Sequence, residues 1–489
     1  MLFKKPRLVI AALRGGSGKT LVSLGLVAYW RKERRLRVVP FKKGPDYIDA
    51  GWLSVAAGSP CYNLDPFLMD PADMLGSFLR RSLKGDCSVI EGNRGLYDGV
   101  DSRGTYSTAE LAKFLRAPVV LVIDGTKMTG TAAALVLGCQ KIDPEVRIAG
   151  IIFNHVAGKR HENVLRRSIE EHCEIPVLGI LPKEAGDFFP ERHLGLVPPQ
   201  ESRDCARAMD FAAKLAQACL DTDGLLEVAK SAAPLGMPLP THASERASGA
   251  YQRPVIGILR DAAFQFYYPE NIEALRERGA EVVEISSFDL KPLPALDGLY
   301  IGGGFPETHL EVLARNKTFK QSLTSRIDGG LPVYAECGGL MFLCKAIHQQ
   351  TDSFPMAGVF PYEVVMEKRP QGHGYVLMDC VGENPYFPVG TRLRGHEFHY
   401  SRIGGVDVST EFVFNLTKGH GMLAGKDGLC YKNVLAAYAH LHAVGNGDWA
   451  DAMVGAALSY REQRSDEVPD VTCNAEKGES GNQDYSTAV

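Results

Sequence analysis

The chain has 489 residues, too many for one ordinary hydrophobic core, and its 45% hydrophobic and 23% charged content is that of a soluble globular protein of two or three domains. Its 54 lysines and arginines against 58 aspartates and glutamates leave a net charge of −4, which excludes any broad electrostatic attraction to nucleic acid or an anionic membrane. Eleven cysteines, an odd number without a CxxC pair, argue against a disulfide framework or a zinc site.

The first segment, MLFKKPRLVIAALRGG, is basic and then apolar. Its apolar run ends at Arg14 and a glycine loop rather than at a small-residue cleavage site, so it reads as a β-strand and not a signal peptide. No stretch is long and apolar enough to span a bilayer, and a cytoplasmic location is expected. Further strands are expected over 8–12, 38–41, 88–91, 119–124, 148–154 and 177–180, with helices such as 20–32 and 109–115 between them. Short apolar strands alternating with helices predict an α/β fold, a parallel sheet covered on both faces.

A helical stretch over 205–230 closes this unit, assigned to residues 1–230. Residues 231–253 are rich in Pro, Ser, Ala and Gly and read as a linker. A second α/β unit is expected over 254–460, with strands at 255–259, 281–285, 298–301 and 332–335 and later ones at 376–380 and 396–400. The polar residues 461–489 are expected to form a disordered tail.

Arg14-Gly-Gly-Ser-Gly-Lys-Thr20 follows the first strand and opens the first helix. In that setting Gly15, Gly16, Ser17 and Gly18 turn backbone N–H groups around a nucleotide phosphate, and the helix N-terminus adds partial positive charge. Lys19 reaches the outer phosphates, and the Thr20 hydroxyl suits Mg²⁺. Leucine at 13, where the ordinary pattern has glycine, resembles the dethiobiotin synthetase and MinD-like branch of P-loop proteins. Acidic residues follow the next strands, in GPDYID and EGNRGLYD. Ligands sit at the carboxyl ends of an open parallel sheet, so these segments are expected to face the loop. Asp46 and Glu91 are the metal candidates; Asp49 and Asp98 are candidates for substrate placement or proton handling.

In the second unit, Tyr334-Ala-Glu-Cys-Gly-Gly-Leu340 lies between a strand and a helix expected over 340–346. Such a turn projects a nucleophile, Cys337, and the helix N-terminus is expected to lower its thiol pKa. Gly338 and the upstream Gly303 and Gly304 of GLYIGGGFPE offer N–H groups to an oxyanion. Downstream, AYAHLH supplies His440 and His442, either of which suits the role of base. The histidines of GHEFHY alternate with aromatic residues, which points to a strand and away from a metal cluster.

Taken in order, RGGSGKT, GPDYIDA, NLDPFLMD, EGNRGLYDG, FYYPENIEAL, GLYIGGGFPE, YAECGG, LRGHEFHYS and AYAHLH resemble the cobyrinic acid a,c-diamide synthase family. The resemblance implies a dethiobiotin synthetase-like P-loop domain joined to a class I-type glutamine amidotransferase domain. It implies ATP and Mg²⁺ as cofactors, with glutamine and a tetrapyrrole carboxylic acid as small-molecule substrates. By the same resemblance Cys337 is the nucleophile and His440 its activating histidine, while Asp46, Asp49, Glu91 and Asp98 belong to the synthetase site and Tyr47 and Ile48 shape its substrate side. His442 stands where related amidotransferases place a glutamate, so a Cys–His dyad is expected. Asn93-Arg94 replaces an apolar pair and adds a cation for substrate carboxylates. Three further readings stay open: a sirohydrochlorin or sirohaem amidase, a MinD-like ATPase switch without glutaminase activity, and a dethiobiotin-synthetase-like ligase with a degenerate second domain. A homodimer is also left open.

Overall fold

The computed structural model describes residues 2–183, 191–192, 195–202, 204–236, 253–407 and 409–466. Seven parallel strands form the first sheet: β1 (Arg7–Ala12), β2 (Val38–Lys43), β3 (Tyr62–Leu64), β4 (Cys87–Glu91), β5 (Val119–Asp124), β6 (Ile148–Val156) and β7 (Val177–Pro182). Their spatial order is β3-β2-β4-β1-β5-β6-β7. Every residue of β1, β2 and β4 is buried because helices cover both faces, so their middles are largely apolar while charged residues (Arg7, Lys42, Lys43 and Glu91) stand at their ends. Helix α1 (Lys19–Lys32) packs so closely on the helix Cys205–Cys219 that a Cβ on Gly25 would lie 2.8 Å from the carbonyl oxygen of Ala212. The chain reverses direction around β1, and a sheet of this kind binds ligands at that switch point, beyond its carboxyl ends.

The second sheet holds β8 (Val255–Leu259), β9 (Glu281–Ile285), β10 (Gly298–Ile301), β11 (Val333–Glu336), β12 (Leu429–Tyr431) and β13 (Val434–Ala437). Its order is β9-β8-β10-β11-β13-β12, parallel except for the last pair. An antiparallel sheet built on Gly372–Cys380 and Arg392–His399 packs beside it and carries the expected later strands.

Three expectations shift. The helix after Cys337 spans Gly338–Leu343, and the chain then enters a strand, Cys344–Gln349, paired with Phe360–Met366. The apolar run there is too short for periodicity to separate helix from strand. The first unit continues past residue 230, since Leu235–Gly236 pairs with Leu2–Phe3. The helix Asp448–Asp466 occupies the beginning of the supposed tail. Residues 237–252 of the linker and 467–489 of the tail lie outside the described residues.

The two units pack through aromatic rings and ion pairs. Tyr47 stacks on Phe266 at 5.0 Å and 6°, and also meets Tyr268, His396 and His440. Arg81 pairs with Glu273 at 2.8 Å, and Tyr375 donates to Asp65 at 2.8 Å. A Cβ on Gly445 would come within 1.7 Å of the Leu68 carbonyl oxygen, so backbone meets backbone there.

Candidate active site

The glycine loop lies at the carboxyl end of β1, between the ends of β4 and β5. Gly15 and Gly16 have open space above them, while Gly16 and Gly18 adopt φ of 73° and 93°, which glycine adopts without strain. Gly18 rests against Asn154 at the end of β6, whose side chain donates to the Ser17 carbonyl at 3.2 Å; Asn154 carried no motif in the sequence. Lys19 Nζ donates to the carbonyl oxygens of Arg94 (2.9 Å) and Arg14 (3.4 Å). Burial and then the nearby Lys42 lower its pKa, so an incoming phosphate would relieve both penalties.

Glu91 ends β4, in register with Ile10 and Lys42. Its Oε1 accepts from Thr20 at 3.0 Å and from Lys42 at 2.7 Å. Lys42 also donates to Asp49 at 2.6 Å and lies 3.7 Å from Asp46. Burial opposes the charge of Lys42, but Asp49, Glu91 and Asp46 outweigh it and raise its pKa well above the ordinary value. Burial, and after it the charge of Asp49, push the Asp46 carboxyl up to about 7. Asp49 moves down: burial opposes this, but Lys42 prevails.

No group of three or more His, Cys, Asp or Glu side chains stands ready for a metal among the described residues. Magnesium bound with a nucleotide needs only one or two protein oxygens beside phosphate. Glu91 Oε2 is buried with no hydrogen-bond partner among the described residues, and the Thr20 hydroxyl lies on the same carboxylate, a donor set that fits such an ion. Asp98 accepts from the Gly95 N–H at 2.8 Å and lines a second chamber, whose wall also includes Asp46 of this carboxylate cluster.

The second cluster uses three adjacent carboxyl ends. Cys337 follows β11, the Gly302–Gly304 loop follows β10, and His440 follows β13. Cys337 holds φ 46° and ψ −101°, a backbone strain of about 1–3 kcal/mol that marks a nucleophile turn. Its thiol is buried, with Sγ 4.0 Å from the Phe398 carbonyl oxygen. The expected fall in thiol pKa does not occur. Burial, followed by the Glu307 carboxylate, pushes it up, and the Gly338 N–H offsets only part of this. The resting thiol is protonated and needs a base.

His440 and Cys337 line one cavity of about 500 Å³, and Gly304, Asp46, Tyr47, Ile48 and Asp49 line it too. His442 does not reach that cavity. Its Nε2 lies 3.7 Å from Glu270, and its ring packs 4.4 Å from Tyr268. His440 Nδ1 instead lies 3.4 Å from Oε2 of Glu336, the residue before the nucleophile. Glu336 is fully buried and is fixed by the Tyr300 hydroxyl and the Leu441 N–H, both at 2.9 Å. A carboxylate thus stands beside His440 from the position before the cysteine, close to the imidazole but without a hydrogen bond to its Nδ1.

A Cβ on Gly303 would meet His440 at 2.4 Å, and one on Gly338 would meet the Gly304 nitrogen at 3.0 Å. The three glycines therefore pack base, loop and elbow together, although the Gly303 carbonyl is engaged by the N–H groups of Gln265 and Phe266.

Residues 8–196 match the CobQ/CobB/MinD/ParA nucleotide binding domain, and residues 255–447 match the CobB/CobQ-like glutamine amidotransferase domain. Across 96% of this chain and 100% of the relative, the sequence is 42% identical to a cobyrinate a,c-diamide synthase of Magnetococcus marinus. Relatives of the same name from Methanosarcina barkeri (94% of this chain, 97% of the relative) and Listeria monocytogenes (92% and 99%) are each 37% identical.

Proposed function

The chain belongs to the cobyrinate a,c-diamide synthase family, and from this we propose that it amidates the a and c carboxylates of cobyrinic or hydrogenobyrinic acid in cobalamin biosynthesis, using glutamine and ATP. The observation that carries the reading is the single cavity shared by Cys337 and His440 with Asp46 and Asp49, which joins a nitrogen-releasing centre to a phosphate-binding one.

In this reading His440 takes the Cys337 proton, and the thiolate attacks the glutamine side-chain amide. The Gly304 and Gly338 N–H groups stabilise the oxyanion, with the Gly303 turn shaping their support. Ammonia leaves with a proton returned by His440, and water then frees glutamate from the thioester. Glu336 keeps the imidazole aimed. At the other centre a carboxylate oxygen of the macrocycle takes the γ-phosphoryl group of ATP, giving an acyl phosphate and ADP. Ammonia attacks its carbonyl carbon, phosphate departs, and the amide remains. A carboxylate is a poor electrophile, so this activation is the chemical reason for ATP.

Gly15 to Gly18 cradle the phosphates and Lys19 meets the charge of transfer. Thr20, Glu91 and Asp46 would hold Mg²⁺, which supplies charge neutralisation at the phosphates. Tyr47, Ile48, Asp49 and Asp98 position the acid. Product masses from purified protein given a panel of tetrapyrrole acids with ATP, Mg²⁺ and glutamine test the reading. Two carboxylate-to-amide changes on cobyrinic or hydrogenobyrinic acid are expected; amidation of sirohydrochlorin alone would overturn the substrate.

A further inference from the structure

A second chamber, of about 640 Å³, opens between the two units beside the catalytic cavity. The first unit contributes Lys43 and Arg94, and the second contributes His373, Lys418 and His420. Lys43 is buried, whereas Arg94, Lys418 and both histidines are exposed. Among the described residues Lys43, Arg94 and Lys418 form no ion pair, in contrast to Lys42 one position away. Burial and then repulsion from Arg94 lower the pKa of His373, with a smaller contribution from His420, although Glu397 opposes them. For Lys43, burial and Arg94 likewise lower the pKa, although Asp65 opposes them. Like charges held together at this cost await an anion.

The acids of the chamber do not cancel this field. Glu397 is consumed by the N–H groups of His420 (2.6 Å) and Gly421 (2.9 Å) and by the His420 ring at 3.2 Å, which fixes that histidine at the rim. Asp98 is held by Gly95, and Asp46 belongs to the carboxylate cluster at the phosphate loop. Aromatic surface completes the lining: Phe398 is 36% exposed, and Tyr375 lies across the chamber's inner wall, stacked on Phe67 at 4.3 Å.

The chamber and the catalytic cavity share Pro45, Asp46, His396 and Phe398 as a common wall. A ligand in the chamber thus has one edge against the phosphate-loop carboxylates and lies one side chain away from the nitrogen source.

We propose that this chamber is the macrocycle site, and that the amidotransferase unit grips the substrate's peripheral carboxylates through His373, Lys418 and His420 while Lys43 and Arg94 hold those nearer the nucleotide. The ligand class is a flat, conjugated polycarboxylate: several anions for Lys43, Arg94 and Lys418, which form no ion pair among the described residues, and a ring face for Phe398. This rests on the function proposed above. It adds that the second unit determines which acid is bound, beyond supplying ammonia.

The test uses the full-length protein with cobyrinic acid, ATP, Mg²⁺ and ammonium chloride, so that glutamine hydrolysis plays no part. Lys418→Ala and His373→Ala should each raise the KM for the macrocycle by about tenfold, with kcat little changed. Lys418→Arg should restore it. Lys418 is exposed, so its removal should leave the melting temperature unchanged. The same substitutions should not alter the KM for ATP. Unchanged macrocycle KM in both alanine variants, beside an active wild-type enzyme, would overturn the chamber assignment and leave the proposed reaction standing. A wild-type protein that amidates no tetrapyrrole acid would overturn the reaction itself.

Discussion

Lys42 and Lys43 adjoin in sequence and have opposite surroundings. Lys42 points into the Asp49 and Glu91 carboxylates, and Lys43 lines the open chamber. Successive side chains of a strand alternate in direction, but a Lys-Lys pair at a strand end carries no mark of which one faces the carboxylates and which the chamber. Glu336 was hidden for a related reason. It reads as one residue of a strand, whereas its role depends on His440, more than a hundred positions away. Cys337 was legible because a cysteine between strand and glycines has few structural uses, and Lys19 because the spacing of its loop is itself the chemistry. Glu336→Gln keeps the shape and removes the charge that aims the imidazole. Glutamine-dependent kcat should fall roughly 100-fold with little change in the KM for glutamine, while ammonia-dependent amidation persists. Equal loss with both nitrogen sources would mean that Glu336 supports the fold and not the base.

The central parallel strands were readable because a strand buried on both faces is largely an apolar run, and β5, β8 and β10 begin and end where the pattern predicts; the edge strand β9, half-exposed with glutamates at 281 and 284, does so too. The edge strand β3, only three residues long, gave no period to detect. The strand after Cys337 was taken for helix because LMFLCKAI is apolar apart from Lys345 and too short to show a period, and its pairing partner lies later in the chain. Between β10 and its following turn, Gly304 adopts φ 157°, and a Cβ there would lie 2.0 Å from the Ala263 carbonyl oxygen. Both the conformation and the contact exclude a side chain. Gly304→Ala should lower unfolding stability by about 2 kcal/mol or more and abolish glutaminase activity, measured by denaturant unfolding and glutamate release. Wild-type stability and activity in this variant would remove the turn from the oxyanion site.

At the scale of the molecule, the 45–49 segment of the first unit and the Cys337 and His440 segments of the second line one cavity. The family-specific motifs forecast both domain types, and the match of residues 255–447 to an amidotransferase domain sets aside a nucleotide switch without a second activity. Their apposition was not forecast. Tyr47 meets Phe266, Tyr268, His396 and His440, contacts that depend on how two independently patterned units dock. In the proposed reaction this docking would shorten the path of ammonia and limit its exposure to bulk water, which would protonate it.

The most direct measurement supplies glutamine labelled with heavy nitrogen in its amide, together with unlabelled ammonium, and weighs the amidated macrocycle. Wild-type enzyme should deliver the heavy atom, whereas Cys337→Ala should still form amide but only with the light one. A wild-type product lacking the label, or a Cys337→Ala product retaining it, would contradict the transfer of nitrogen from the Cys337 centre to the nucleotide-activated acid.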